Sequence, residues 1–309
     1  MTRKELQLLR EVRVALDSGA HTLYEKEGKR EGGSFYRSRR FWEFVDRYGE
    51  FVSKYGGLFD FYVNVDVIFD PKLSWEVQRY LEREYKVRPM PVVHWGEDLV
   101  WLKKYMDNYE YIGIGGLGQA VTKRNYIVWA DRVFHLLEES RGTWRMHGFA
   151  MTSVDLIQRY PWFSVDSAEY VIVAGMGTIA VKKGSGRIFK VVVSDRKERR
   201  SGRERHFKRI SLLEKRRVVE YLLYDLGMEE GDVEECCRGG SLVLRRVVNA
   251  LFYLKRLFGT NTVVYLSASG LAVRGFLEKL AKVFEVSKLR VMESFYYKYL
   301  LDKWLEVVK

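Results

Sequence analysis

"TWRMHGFAMTSVDLIQRYPWFSVDS" (Thr143–Ser167) decides the fold. Thr143 to Phe149 has the length and composition of a strand and ends at a glycine turn; Ser153 to Pro161 has helical spacing; Trp162 to Ser167 is strand-like again. A strand, a helix and a second strand in so short a stretch form a crossover unit, which makes the two strands parallel. The second strand carries a carboxylate, Asp166, next to its last residue.

The same alternation extends toward the N-terminus. Thr122–Ser140 reads as a long helix and Tyr111–Gly118 ("YIGIGGLG") as a strand ending in glycines. Glu97–Asn108 is a helix and Arg88–Trp95 a strand. Lys72–Tyr85 is a helix with Ser74 as candidate N-cap, and Phe59–Asp70 is a buried strand running into a loop. Phe35–Gly56 has helical spacing, Glu25–Ser34 is a polar, glycine-containing loop, and Val12–Leu16 is a strand that stops at Asp17-Ser18-Gly19-Ala20. Repeated β–α alternation implies parallel strands with crossover helices, in a barrel or an open sheet. Polar or glycine residues fall at six strand ends: Asp17, Asp66, His94, Gly115 with Gly116, His147 and Asp166. An open sheet gathers ligands at one switch point, whereas a barrel gathers all its strand ends at one mouth. The expected fold is therefore α/β, a (β/α)8 TIM-type barrel, regular or not, with a β-hairpin insertion and a helical C-terminal part.

The pattern changes near Val171. Gly177–Asp195 reads as a hairpin turning at Lys183-Gly184-Ser185-Gly186. Ser211–Leu226, Ser241–Phe258, Leu271–Phe284 and Lys288–Val308 read as helices, with one strand, Thr262–Ala268, among them. The expected division is a barrel core with hairpin over 1–195, and a basic, mainly helical region over 196–309 whose one strand completes the barrel.

Of the 309 residues, 47% are hydrophobic, enough for a sizeable core, and no stretch has the length and apolarity of a membrane span. The N-terminal segment lacks the apolar run of a secretory signal. The two cysteines, Cys236 and Cys237, are adjacent; they build no disulfide framework and suit a reducing, cytoplasmic setting. The formal charge of +12 favours a polyanion partner, usually nucleic acid. Its densest stretch holds Arg196, Lys197, Arg199, Arg200, Arg203 and Arg205, a candidate phosphate track or a solvated loop.

Two carboxylates at one barrel mouth are the toolkit for breaking a glycosidic bond: one attacks the anomeric carbon and the other moves the proton. The competing reading is that Asp17 and Asp166 each cap the turn or helix that follows. "GIGGLG" (Gly113–Gly118) lacks the order of a dinucleotide loop and the Lys-Ser/Thr of a P-loop, and better suits close approach of backbone to a flat ligand. No metal-ligand spacing and no nucleophile elbow occur. His94 and His147 lie on different strands and read as pocket or core residues; His21, just after the first carboxylate, reads as orienting it or touching substrate.

The order of these pieces resembles the tRNA-guanine transglycosylase superfamily over Val12 to Asp195. "LDSGAHT" (Leu16–Thr22) resembles that family's Asp-Ser-Gly-Gly strand end, with Ala20 for the second glycine. Ile114–Leu117 resembles its Ile-Gly-Gly-Leu segment, and Arg145–Ser167 its strand, glycine turn, short helix and aspartate-bearing strand. The resemblance implies that Asp166 is the nucleophile at C1′ and Asp17 the general acid/base. It implies that Asp66 reads the guanine edge, that Gly115, Gly116 and Leu117 offer backbone contacts to the base, and that Met146 and His147 wall the pocket. His94 stands where the family usually has glutamine. The family's zinc-binding cysteines are absent, and Ser167-Ala168-Glu169-Tyr170 replaces its Pro-Thr-Arg. These departures, and "HGFAMTSVDLIQRYPWFSVDSAEYV" (His147–Val171), resemble the small viral, phage-type branch that exchanges guanine in DNA for a 7-deazaguanine derivative.

The resemblance thus implies a DNA partner, a base such as preQ0, no cofactor, and work in a host cytoplasm. The alternatives are a tRNA-guanine transglycosylase of archaeosine or queuosine type, an N-glycoside hydrolase, and a non-catalytic nucleic-acid-binding subunit.

Overall fold

The computed structural model describes residues 13–116, 122–140, 142–151, 153–182, 188–195, 205–239, 241–256, 261–268, 279–280, 283 and 290–294. Its contacts divide the chain into two units. The first comprises Met1–Ser167, Asn261–Gly270 and Arg290–Lys309; the second comprises Ala168–Thr260 and Leu271–Leu289.

The first unit is a mixed α/β structure around a parallel sheet. Its strands are β1 (Arg13–Asp17), β2 (Val92–His94), β3 (Tyr111–Gly115), β4 (Arg145–Gly148) and β5 (Ser164–Ser167). Two more, from the C-terminal part, are β9 (Val263–Ala268) and β10 (Arg290–Ser294). The spatial order is β1-β10-β9-β5-β4-β3-β2, and every pairing is parallel. The helices between strands are α1 (Arg39–Tyr55), α2 (Pro71–Tyr85), α3 (Leu99–Met106), α4 (Lys123–Glu139) and α5 (Val154–Arg159). Each of α1 to α4 starts where a side-chain oxygen accepts an otherwise unpaired N–H: Ser38 from Phe41, Asp70 from Leu73, Asp98 from Val100 and Thr122 from Asn125.

Both faces of β1 are buried, as a parallel strand requires. Leu16 packs with Phe41, Phe44, Val45 and Tyr48 of α1 and Val77 and Leu81 of α2. Ala15 lies on the opposite face, against Phe61, Val63, Val92 and Tyr265. Each fully buried large side chain in these clusters contributes about 1.5–3 kcal/mol by leaving water. Because strand side chains alternate, Asp17 projects to the Ala15 side.

The segment after α1 departs from the expected strand. Over Phe59–Asp70 it makes only single bridges, Leu16 with Tyr62 and Val63 with Met90. Those bridges carry real hydrogen bonds. Leu16 N donates to Phe61 O and Val63 N to Leu16 O, both at 2.9 Å. On the other side Asn64 N donates to Met90 O at 2.9 Å, and Met90 N to Tyr62 O at 2.7 Å. Beyond Asn64, side chains replace the ladder. Ser74 Oγ accepts from Val67 N at 2.8 Å, and Asn64 Nδ2 donates to Ser74 O at 3.0 Å. Ser74 is thus not the cap of its helix; Asp70 is, with Pro71 at the first helical position. Ser74 sits one turn in and ties the chain beside Asp66.

Two further expectations change. Part of Glu25–Ser34 forms short helical turns, including a π-type turn over Tyr24–Gly28. Residues 290–294 are a strand rather than the start of a helix, because so short a segment has no period that separates the two states. Thr262–Ala268 does supply a strand of the main sheet, between β5 and β10.

In the second unit β6 (Thr178–Lys182) and β7 (Ile188–Val192) form the expected antiparallel hairpin, its turn lying outside the described residues. The two-residue β8 (Arg205–His206) pairs with β7. Four helices accompany it: α6 (Glu169–Gly175), α7 (Leu212–Glu220), α8 (Glu230–Cys237) and α9 (Leu242–Arg256). Helix α9 explains why the hairpin goes with this unit and not with residues 1–167. Asn249 of α9 accepts from Ala180 N at 2.8 Å and donates to Thr178 O at 3.0 Å, and buried Arg245 donates to Ala174 O of α6 at 3.1 Å. The contact division falls after Ser167, and the hairpin lies in the second unit. No helix among the described residues is long and apolar enough to cross a membrane.

Candidate active site

Neither strand-end aspartate caps a helix. After β1 the chain turns through Gly19, whose φ of +81° is the left-handed conformation glycine takes freely. The short helix Ala20–Leu23 that follows has no side-chain cap bond, and Ser18, not Asp17, meets Ala20 N, at 3.3 Å. The helix after β5 begins at Ala168, again without a side-chain cap. Neither carboxyl is spent on capping a helix.

Asp17 keeps partial exposure, yet enough protein crowds it to move its proton affinity. Burial pushes its pKa up to about 7; the Gly19 N–H opposes this, and the fields of Asp166 and Asp66 add to it. Three carboxyls from three separate segments therefore sense one another. No cation is among the influences on Asp17.

Asp166 is gripped at both oxygens. Ala150 N donates to Oδ1 at 2.8 Å, and Ser267 Oγ, on β9, donates to Oδ2 at 2.6 Å. Ala150 has φ +51°, a costly value for a residue with a Cβ, and the turn after β4 uses it to aim its N–H. Trp162 Nε1 donates to Leu156 O at 3.0 Å and ties α5 to the chain leading into β5.

Behind Asp166 lies a buried polar chain. Tyr111 Oη and Ser164 Oγ are 2.5 Å apart, and Ser164 Oγ and His147 Nδ1 are 2.5 Å apart. His147 Nε2 is buried without a hydrogen-bond partner among the described residues, 3.6 Å from Asp166 Oδ1. Ser164 has one hydroxyl hydrogen. If Tyr111 donates to Ser164, then Ser164 donates to Nδ1 and the ring proton sits on Nε2, facing the carboxylate. The reverse chain would point a lone pair at that carboxylate, which electrostatics disfavours. Phe61 and Phe149 pack on the imidazole at centroid distances of 5.2 and 4.6 Å.

Asp66 and His94 form the third element. His94 Nε2 lies 3.0 Å from Asp66 Oδ2, and Nδ1 lies 3.1 Å from Glu97 Oε1. Burial alone would lower the imidazole's pKa, but the bonds to Asp66 and Glu97 outweigh it and raise it to about 10. His94 is then an imidazolium clamped between two carboxylates. Gly115 lies beside this ring: a Cβ there would sit 3.0 Å from His94 Cδ2. Gly116 has φ +102°, and a Cβ would sit 2.7 Å from Trp95 Cβ. These glycines let two strand ends approach.

The sequence-predicted residues Asp17, Asp66, Asp166, His94, Gly115 and His147 thus belong to one unit, and the carboxyls among them are in electrostatic contact. His147 stands behind Asp166, and both nitrogens of His94 are already engaged by carboxylates. His21 is exposed. Leu117, Arg196, Lys197, Arg199, Arg200 and Arg203 lie outside the described residues, and of Arg205 only the backbone is described. Sequence reasoning missed Glu97, Ser164, Ser267, Tyr111 and Ala150. Glu97, three residues past a strand-end histidine, carried a legible signal; the others meet the site only through long-range folding. Among the described residues no group of three or more His, Cys, Asp or Glu is arranged to hold a metal ion.

Comparison of the chain with protein-family models, with characterised proteins and with solved structures finds no match.

Proposed function

We propose that the protein is a base-exchange glycosyltransferase that replaces guanine in DNA with a 7-deazaguanine derivative such as preQ0. The observation that carries this is the contrast between two neighbouring carboxyls: Asp17 is tuned to hold a proton near neutrality, and Asp166 is fixed at both oxygens. One is suited to general acid/base work and the other to attack. The +12 charge supports a nucleic-acid substrate, and the resemblance of the sequence to the viral transglycosylase branch supports DNA and the deazaguanine base.

The target nucleotide leaves the stack, because C1′ is out of reach in a duplex. An Asp166 oxygen forms a bond to C1′ as the C1′–N9 bond breaks. The electron pair leaves with guanine, and Asp17 gives the base its proton. The incoming base gives a proton to Asp17 and attacks C1′, and the Asp166 ester bond breaks. Two displacements retain configuration. Asp66, held through Oδ2 by His94, is oriented to accept from the base edge. His147 presents Nε2–H toward Asp166 and steadies it.

The same reading takes the parallel sheet as a closed (β/α)8 barrel with the carboxyls at its mouth. The paired bonds of the Phe61–Asn64 segment support this, because they run from Leu16 of edge strand β1 to Met90, two residues before edge strand β2.

The test is exchange of radiolabelled guanine into duplex DNA and, separately, into unmodified tRNA. Label entering DNA, and lost in Asp166→Asn, is the expected result. Label entering only tRNA would move the assignment to the tRNA enzymes. Base release without exchange would make the protein a hydrolase.

A further inference from the structure

We propose that Phe69, with Tyr24 at its edge, is a stacking platform for an unpaired nucleobase. The inference rests on the nucleic-acid reading above and adds a contact to it. Two features of Phe69 work against folding. Asp70 N donates to Val67 O at 3.0 Å, closing a β-turn in which Phe69 is the third residue. Its φ is +68°, a value at which glycine or asparagine is the ordinary occupant. A bulky L-residue there is an outlier. Its side chain gains little in return, because Phe69 is 64% exposed. Such an outlier points from structure toward function.

Its position supplies the ligand class. Phe69 follows Asp66 by three residues, in the turn that Ser74 and Asp70 pin in place. Its ring meets Tyr24 edge-on, with centroids 6.0 Å apart and planes at 74°. Tyr24 follows the Asp17 turn, and it shares the surface around Gly28 with Tyr36: a Cβ at Gly28 would sit 3.0 Å from Tyr24 Cδ2 and 2.6 Å from Tyr36 Oη. Tyr36 lies in the field of Asp66. The aromatic pair therefore spans the loops that carry Asp17 and Asp66. An exposed ring fixed by backbone strain, in the turn three residues after a hydrogen-bonding carboxyl, suits a flat base read on its face by stacking and on its edge by Asp66.

The test uses single-stranded DNA carrying 2-aminopurine, and RNA of the same sequence, with the full chain. Wild type should quench 2-aminopurine on binding. Phe69→Ala and Phe69→Leu should each weaken binding by roughly tenfold or more, and Phe69→Trp should restore it. Phe69→Gly should bind as weakly as Phe69→Ala while Tm rises by roughly 2–4 °C, because the strain is relieved. A ring that serves only packing would give the opposite pair: unchanged affinity and a lower Tm. Loss in DNA alone or RNA alone names the strand. Variants that all bind and quench like wild type would overturn the platform. Wild type that binds and quenches through Phe69 but never exchanges guanine would keep the platform and refute the transglycosylase. Wild type that binds neither strand would overturn both.

Discussion

Strand β1 is five residues long and holds two kinds of acid chemistry at its two ends. At its start, Arg13 Nε meets Asp60 Oδ1 at 2.5 Å, and Tyr265 Oη donates to Asp60 Oδ2 at 2.7 Å. Asp60 is a carboxylate with partners on both oxygens, and two cations beside it: Arg13 at Oδ1 and Arg290, whose Nε lies 3.9 Å from Oδ2. At its finish, Asp17 has no cation among its influences and two further carboxyls in its field. The first arrangement stabilises the fold. The second costs stability, and a protein retains such a cost where protonation is put to use. Asp166 is intermediate: fully hydrogen-bonded like Asp60, yet by neutral donors only.

The largest expected effect is at the finish of the strand. Asp17→Asn should lower exchange by about 10²–10⁴-fold, the range for loss of a general acid/base. It should also make the protein more stable at pH 8 and change it little at pH 4. The sign follows from the raised pKa. Wild type must lose a proton from a group whose folded pKa, about 7, lies above its unfolded value. Folded protein therefore binds more protons than unfolded between about pH 4 and 7, so stability falls as pH rises through that window. Asparagine escapes the loss. Thermal melts of both proteins at the two pH values check it; a variant no more stabilised at pH 8 than at pH 4 would break the contrast between the two ends. For the same reason, release of the first base should decline above about pH 7, as Asp17 loses the proton it must donate.

A smaller effect is expected behind Asp166. His147→Ala leaves the Ser164 hydroxyl and the Asp166 Oδ1 side without the imidazole, and should lower kcat by up to about 10²-fold through misplacement, with KM little changed. His147→Gln, which can offer an N–H from a similar position, should recover part of it. Equal loss in both variants, with KM rising in step, would reassign His147 to the base pocket.

The smallest effect on rate is expected at the start of the strand. Asp60→Ala removes the acceptor of a buried tyrosine, Tyr265, and should cost about 1–3 kcal/mol, seen as a lower Tm at both pH 8 and pH 5. Little of that comes from Arg13, whose side chain is 64% exposed, so the ion pair itself is weak. Exchange per folded molecule should be unchanged. A catalytic defect here would show that the two ends are not distinct.

Much of this was legible in the sequence. Strand ends at Asp17, Asp166 and His94 were readable because short apolar runs closed by Gly, Pro or Ser fix where a strand stops. Helix Lys123–Glu139 was readable to within a residue, because Thr122 is a cap and the apolar spacing is strong. Helix Glu230–Cys237 was missed; its acidic, weakly patterned sequence gives no apolar stripe to detect. The irregular chain after Phe59 has strand-like apolar content, so its sequence predicts a strand, and the side-chain bonds of Asn64 and Ser74 that replace the ladder leave no periodic trace. Ala150 and Phe69 take conformations that sequence rules reserve for glycine, so neither was visible before the backbone was known. Ser267, 101 residues from its partner Asp166, could be found only through the fold.

The most direct measurement is to trap the covalent intermediate. Full-length protein would be incubated with a guanine-containing DNA oligonucleotide, denatured at low pH, digested and examined by mass spectrometry. An oligonucleotide adduct on the peptide that contains Asp166, absent in Asp166→Asn, is the predicted result. Active exchange with an adduct on another residue, or with no adduct in the wild type, would contradict the account.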